Sequence, residues 1–290
     1  KDIKEKGIRV LHNLSFIEDP TRILRAIRFE QRFGFKIGKQ TAGLIRNAVR
    51  MGLLQKLGGR RFFHEIQLIL EEEDTIQPLR RMAEFSVMPA LSPELVFDRK
   101  MEELFERLKQ VISWYRLSFL DDPLQRWRVY LLGLFSALPC HEVEEACDRL
   151  LLPEAQCKRM LWTYDRVGKL LRAFFTQQGQ KPSEIFRALQ PFEPEELLFL
   201  MAKAEREETR KAVSHFFHRY RVIKSDLKGK DLKEMGVPPG PIYRKLLDEL
   251  QDARINSEVK NRHEEVLYLL EKHPEIFEDP DAAHEWAAQC

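Results

Sequence analysis

The chain has 290 residues, enough for about two domains with sizeable cores, and 32% of them are charged. Glycine is scarce at 13, and leucine, glutamate and arginine are abundant. That composition favours an all-α protein, and no apolar run approaches a membrane span and no signal peptide is present, so a cytoplasmic protein without membrane contact is expected.

The net charge of +2 conceals an asymmetry. Residues 1–60 carry 14 Lys and Arg against 5 Asp and Glu, a surplus of +9. The remaining 230 residues carry 34 against 41, a deficit of 7. A basic N-terminal region on a near-neutral body points to a local site for a polyanion. Cys140, Cys147, Cys157 and Cys290 show no paired spacing, and they read as reduced thiols. Zinc at Cys140, His141, Cys147 and Cys157 is conceivable, but the first three suit a helix and its flank.

Residues 7–12, Gly-Ile-Arg-Val-Leu-His, alternate like a strand, and one strand is not stable alone. It resembles the last strand of a sheet lying before residue 1. The opening on Lys1 rather than Met fits either a processed start or a piece of a longer protein.

Asp19-Pro20 then marks a helix start: a carboxylate caps free N–H groups and proline fits the first turn. The helix runs from about Pro20 to Phe33 and stops at Gly34. Within it Arg22, Arg25, Arg28 and Arg32 share one stripe, while Ile23, Leu24 and Ile27 face the other way. Acids are nearly absent from the arginine stripe after Asp19, so its negative charge is expected from outside.

Further helices fit residues 39–51, 60–73 and 75–85. Pro89 and Pro93 form a break. Amphipathic segments follow at 94–117, 122–138, 141–151, 153–177 and 193–223. Their aromatics, among them Trp114, Tyr115, Phe119, Trp127, Tyr130, Phe135, Trp162, Tyr164, Phe174 and Phe175, read as core. A third block begins near Asp226, with Lys228-Gly-Lys-Asp-Leu232, then Gly236 to Pro241, then helices at about 242–253 and 260–271.

Two roles are open for the Asp19 and Arg22 pair. At positions i and i+3 they share a helix face. Cytosine and adenine both present an exocyclic amine beside a bare ring nitrogen. The carboxylate accepts from the amine while the guanidinium donates to the ring nitrogen. Uracil and guanine reverse those groups, and unpaired buried polar groups reject the wrong partner. Arg25 and Arg28 then suit a triphosphate or backbone phosphate. In the alternative, Asp19 is only a helix cap and the arginines a general RNA-facing stripe.

The string Ser15-Phe-Ile-Glu-Asp-Pro-Thr-Arg-Ile-Leu-Arg-Ala-Ile-Arg-Phe29 resembles the neck-helix motif E-D-x-x-R…R-A-x-R-F of class II bacterial tRNA nucleotidyltransferases and poly(A) polymerases. Leu57-Gly-Gly-Arg-Arg-Phe-Phe-His-Glu65 resembles the family's E-R-I-x-x-E region at Arg61 and Glu65, with Arg60 in place of an acid. Gly229-Lys-Asp-Leu232 and Gly236 to Pro241 are similar to the family's tail.

The resemblance implies an elongated helical neck, body and tail: residues 1–12 ending a nucleotidyltransferase head, 13–92 the neck, 93–225 the body and 226–290 the tail. It implies tRNA 3′-end maturation by template-independent addition of C and/or A. Glu18, Asp19, Arg22, Arg25 and Arg28 would hold CTP or ATP. Arg32, Arg60, Arg61, Lys228, Lys230, Arg244 and Lys245 would contact tRNA. The helix opened by Gly240-Pro241 has free N–H groups suited to a phosphate, although a turn that merely redirects the chain explains the motif as well.

The family's D-x-D pair for two Mg²⁺ ions has no counterpart in strand context here; Asp121-Asp122 and Asp279-x-Asp281 sit in helical linkers. A head domain preceding this chain is therefore expected to carry the metals, and this chain alone is expected to be inactive. The alternatives are a non-catalytic RNA-binding helical protein and a poly(A) polymerase acting on RNA 3′ ends.

Overall fold

The computed structural model describes residues 4–118, 120, 123–176 and 180–277. Phe119, Asp121, Asp122, Asp279, Asp281 and Cys290 lie outside them, as do the side chains of Phe174 and Phe175. The described residues form two compact units. The first runs to Leu171 and includes Glu193–Ala204; the second comprises Arg172–Phe192 and the residues from Glu205 onward. These boundaries differ from the neck, body and tail divisions read from the motifs.

The first unit opens on β1 (Gly7–Ile8), which pairs in parallel with β2 (Lys36–Ile37). The expected strand is thus only two residues long, and its partner lies within the chain. Between them lie the single-turn α1 (Ser15–Glu18) and α2 (Thr21–Phe33). Asp19 Oδ1 accepts from the Thr21 N–H at 3.2 Å and the Thr21 hydroxyl at 2.6 Å, anchoring the first turn of α2.

The end of α2 follows from Gly34. Its φ of 60° is left-handed, and the Phe35 N–H returns to the Glu30 carbonyl at 2.9 Å. Ile23, Leu24 and Ile27 are fully buried, as their periodicity requires. They meet α4 (Gly59–Leu70) and α5 (Ile76–Glu84), whose Phe62, Ile66, Ile69, Leu79 and Met82 are equally buried. Between β2 and α4 runs α3 (Lys39–Arg50), which contributes Ile45 and Ala48 to the core.

A buried carboxylate and a close glycine contact lock this part together. Glu30 accepts from the Ile37 N–H at 2.8 Å and from Arg81 at 2.7 Å, tying α2 to β2 and α5. Gly59 is a close approach: a Cβ there would sit 2.2 Å from the Arg149 carbonyl oxygen.

The unit continues through α6 (Arg99–Leu117), α7 (Arg126–Phe135), α8 (Cys140–Arg149), the long α9 (Glu154–Thr176) as far as Leu171, and α11 (Pro194–Lys203). Asp98 caps α6 by accepting from the Met101 N–H at 2.9 Å. Helices α6, α7 and α11 pack mutually, with Phe105 stacked on Tyr130 at 5.4 Å between centroids. Tyr115, Tyr130 and Phe135 are buried core aromatics, while Trp114, Trp127, Trp162 and Tyr164 are half-buried.

The second unit contains α10 (Pro182–Leu189), α12 (Glu207–His218), α13 (Gly229–Glu234), α14 (Ile242–Ile255) and α15 (Arg262–Lys272). The single segment expected over 193–223 is therefore two helices: Ala204 turns extended at ψ 122° and Arg206 follows at ψ 138°. A core of Leu232, Val237, Leu246, Leu250, Val266 and Leu269 joins α13, α14 and α15. No helix of the described residues is long and apolar enough to cross a membrane.

Candidate nucleotide-selecting site and RNA-binding surface

Asp19 and Arg22 lie at the N-terminal end of α2, but in this structure they do not bond to each other. Asp19 Oδ2 accepts from Arg61 Nη2 at 2.8 Å. Arg22 donates to the Ser15 carbonyl at 3.1 Å and stands 3.5 Å from Glu18. Glu18 also faces His12 at 3.5 Å. Glu18 thus supports Arg22 directly, and Arg61 joins the Asp19 cluster.

Asp19 remains suited to accept one more donor. An ionised carboxylate offers about four lone-pair positions, and Thr21 with Arg61 fills three of them. Burial acts to raise the Asp19 carboxyl. The hydrogen bonds from Thr21 and the adjacent Arg61 guanidinium outweigh it and hold the group below the usual carboxylate range. Asp19 is therefore an acceptor with no proton to give. Arg22 is 42% exposed on its side chain, and an ion pair so exposed holds weakly, which leaves the Ser15 carbonyl as its main anchor.

The rest of the arginine stripe departs from expectation. Arg28 is buried, its side chain only 9% exposed, between Glu65 at 3.6 Å and Glu72 at 3.4 Å. It is not an open phosphate ligand. Arg25 stands 3.9 Å from Glu65 and Arg32 3.4 Å from Glu72. The stripe draws much of its negative charge from α4 and the residues just after it rather than from outside. Neighbour rules within one helix do not reveal acids contributed by another. Buried Arg28 Nε and Glu65 Oε2 have no hydrogen-bond partner, so their contact is one of charge.

Arg60 is exposed at the start of α4, and Glu65, one turn on, is buried. Arg126 closes the other end of α4, donating to the Glu71 and Glu72 carbonyls at 3.2 and 2.9 Å. Arg149 donates to the carbonyls of Ala90, Leu54 and Gln55.

In the second unit Lys228, Lys230, Arg244 and Lys245 are all exposed. Asp231 of the G-x-D-L motif is structural: it accepts from the Lys228 N–H and from Arg262, each at 2.7 Å. Tyr243 donates to the Val237 carbonyl at 2.8 Å and lies 3.4 Å from where a Gly229 Cβ would stand. The turn from Gly236 to Pro241 is thereby fixed and α14 starts at Ile242.

Sequence reasoning missed Glu265. It is fully buried and accepts from the Asp226 and Leu227 N–H groups at 3.0 and 2.9 Å. Burial pushes its carboxyl up, against the pull of those N–H groups and of Arg254. Exposed Lys224 and Lys260, also missed, line a cleft of about 590 Å³ with Arg254. A basic residue in mixed-sign context carries no sequence signal of its own.

The Mg²⁺ implied by the resemblance needs converging oxygen ligands. Among the described residues no set of three or more His, Cys, Asp or Glu side chains converges as metal ligands, so these residues do not fit the ion.

The described residues define a helical protein in which Asp19, Arg22 and Arg61 gather at the N-terminal end of α2. A family model described as "Probable RNA and SrmB- binding site of polymerase A" matches residues 34–98. The A-adding tRNA nucleotidyltransferase of Geobacter sulfurreducens is 39% identical over 270 residues, covering 92% of this chain and 31% of that protein. The A-adding enzyme of Halalkalibacterium halodurans is 25% identical, covering 93% and 60%. The Thermotoga maritima CCA-adding enzyme complexed with tRNA superposes with a TM-score of 0.77 at 28% identity, covering 93% of this chain and 65% of that one. Over most of its length the chain is similar to A-adding and CCA-adding tRNA nucleotidyltransferases. It spans from about a third to two thirds of the length of these relatives.

Proposed function

We propose that this chain selects the base and holds the tRNA in template-independent addition of C and/or A to tRNA 3′ ends. Nucleotidyl transfer from CTP or ATP is then carried out with Mg²⁺ by an N-terminal nucleotidyltransferase head. Addition of A is the favoured activity, because A-adding enzymes are among the relatives that match over most of this chain. CTP and tRNA enter the proposal because CCA-adding structures similar to this chain hold CTP, ATP or tRNA.

The observation that carries the reading is the state of Asp19: ionised, oriented by Thr21 and Arg61, with one acceptor position left, beside an Arg22 whose ion pair with Glu18 is weak. The amine of cytosine or adenine takes the free acceptor position. Arg22 leaves Glu18 and donates to N3 of cytosine or N1 of adenine. Uracil or guanine brings a carbonyl to Asp19 and an N–H to Arg22, and neither bond forms. Arg25, half exposed, is the arginine of the stripe best placed to reach a phosphate, in place of the buried Arg28.

Two substitutions separate these roles in an enzyme carrying the head. Arg22→Ala should lower kcat/KM for ATP or CTP relative to UTP. Arg25→Ala should weaken all nucleotides alike. Equal effects of Arg22→Ala on every nucleotide would reduce Arg22 to a phosphate ligand.

A further inference from the structure

Much of the N-terminal positive charge is unspent at the base-selecting cluster. Arg22, Arg25, Arg28 and Arg32 face Glu18, Glu65 and Glu72. Lys4, Lys6, Lys36 and Lys39 are exposed, and none pairs with a carboxylate among the described residues. The small parallel ribbon gathers them. Gly7 is in register with Lys36, and the Lys36 N–H donates to the Lys6 carbonyl at 2.9 Å. Lys39 opens α3 directly after the ribbon.

A row of aromatic rings ends in the chain at Phe35, the residue before Lys36. Phe29 and Phe33 stand 5.7 Å apart between centroids, and Phe33 and Phe35 the same distance. The middle ring, Phe33, is 54% exposed. Arg28 lies 4.7 Å from the Phe29 ring and Arg32 5.7 Å from the Phe33 ring.

A lone exposed phenylalanine requires no explanation. An exposed ring in the middle of an aromatic row, near a guanidinium and a few residues from lysines without carboxylate partners, combines the two elements that hold single strands. The π-face stacks an unpaired base, and the cations track its phosphates. Duplex RNA offers no free base face, and lysine is depleted at protein–protein interfaces.

We propose that Phe33, backed by Phe29 and Phe35 and followed three and six residues on by Lys36 and Lys39, with Lys6 bonded to Lys36 across the ribbon, is a stacking site for an unpaired base of single-stranded RNA. This rests on the RNA-handling role proposed above and adds a site to it. The 13 residues of α2, at about 1.5 Å per residue, put Phe33 roughly 20 Å from Asp19. One nucleotide therefore does not touch both.

The test uses the chain as it is, titrated with an oligoadenylate of about ten nucleotides. Phe33→Trp should bind as well as the unsubstituted chain or better, with fluorescence quenching beyond that of the unsubstituted chain's own tryptophans. Phe33→Ala should bind about tenfold more weakly, the size of one base-on-aromatic stack, with unchanged thermal unfolding. Lys36→Ala should flatten the dependence of log K on log salt by about 0.7. Phe33→Ala binding within twofold of the unsubstituted chain, with no extra quenching in Phe33→Trp, would overturn the proposal and leave the patch to a protein partner. That result would leave base selection at Asp19 standing. Failure of the unsubstituted chain to bind any RNA would overturn both.

Discussion

Thr21 and Arg61 together hold the Asp19 carboxyl low against its burial. With its folded pKa depressed, Asp19 contributes stability above its unfolded pKa of about 3.9, and that contribution is lost as pH falls through the lower folded value. Arg61→Met removes the adjacent charge and hydrogen bond but leaves Thr21 and the burial. The Asp19 carboxyl should then titrate at higher pH, seen by carbon NMR of the labelled side chain. An unmoved titration would mean that Thr21 alone holds the carboxylate. The sequence motif pointed to Asp19 and Arg22 because spacing on one helix is legible, but the Asp19–Arg61 pair spans 42 positions and no local pattern encodes it. The same limit misplaced Arg28. Periodicity put it on the arginine face, and only the approach of Glu65 and Glu72 made that part of the face an interior. Arg28→Met leaves those carboxylates short of a partner, and breaking such a buried pair costs about 3 kcal/mol. Thermal unfolding should show a fall of roughly 6–12 °C; a loss under 2 °C would show that the site is as open as the stripe alone implies.

Elements with strong local punctuation agree closely with the sequence reading. Helix α2 starts after Asp19-Pro20 and stops at Gly34, and α3, α5 and α15 fall within a residue or two of their expected bounds. Elements without punctuation do not. The gap between α11 and α12 contains neither glycine nor proline, so tertiary packing rather than local preference ends α11 at Lys203. The eight-residue α10 is too short to show a period. Gly59 illustrates a glycine required by approach rather than by dihedral. Any side chain there meets the Arg149 carbonyl, which Leu151 flanks. Gly59→Ala should therefore destabilise by about 1–3 kcal/mol, the range for an overpacked contact. Calorimetry checks this, and an unchanged midpoint would mean that the chain after α8 yields freely. In the second unit Glu265→Gln keeps the shape but replaces one acceptor with a donor facing a backbone N–H. Urea unfolding should show a loss of about 1–3 kcal/mol, whereas equal stability would mean that the two N–H groups find other partners.

For the whole molecule, the proposed function assigns recognition of the base and grip on the RNA to different residues. Binding of tRNA should be salt-dependent, and changing Lys228, Lys230, Arg244 and Lys245 together to alanine should reduce the slope of log K against log salt by about 0.7–0.9 for each phosphate no longer neutralised. Undiminished binding by that variant would remove the second unit from the RNA surface. The helical fold, the likeness to tRNA nucleotidyltransferases and the placing of Asp19 and Arg22 at one helix start were legible because they rest on short motifs with their own chemistry. The acids that face the arginine stripe, the ribbon that gathers the lysines and the division into two units were not, because each is made by residues far apart in the chain. The central claim is that Asp19 chooses the base by being an acceptor rather than merely a cap. Asp19→Asn separates the two, since asparagine caps well but can turn an amide donor toward the exocyclic amine. The decisive measurement is kcat/KM for ATP or CTP over UTP in that variant of the head-bearing enzyme. A fall of about tenfold to a hundredfold is predicted, matching roughly 1–3 kcal/mol for a mispaired buried group. An unchanged ratio would contradict base selection by Asp19 and leave it as a helix cap.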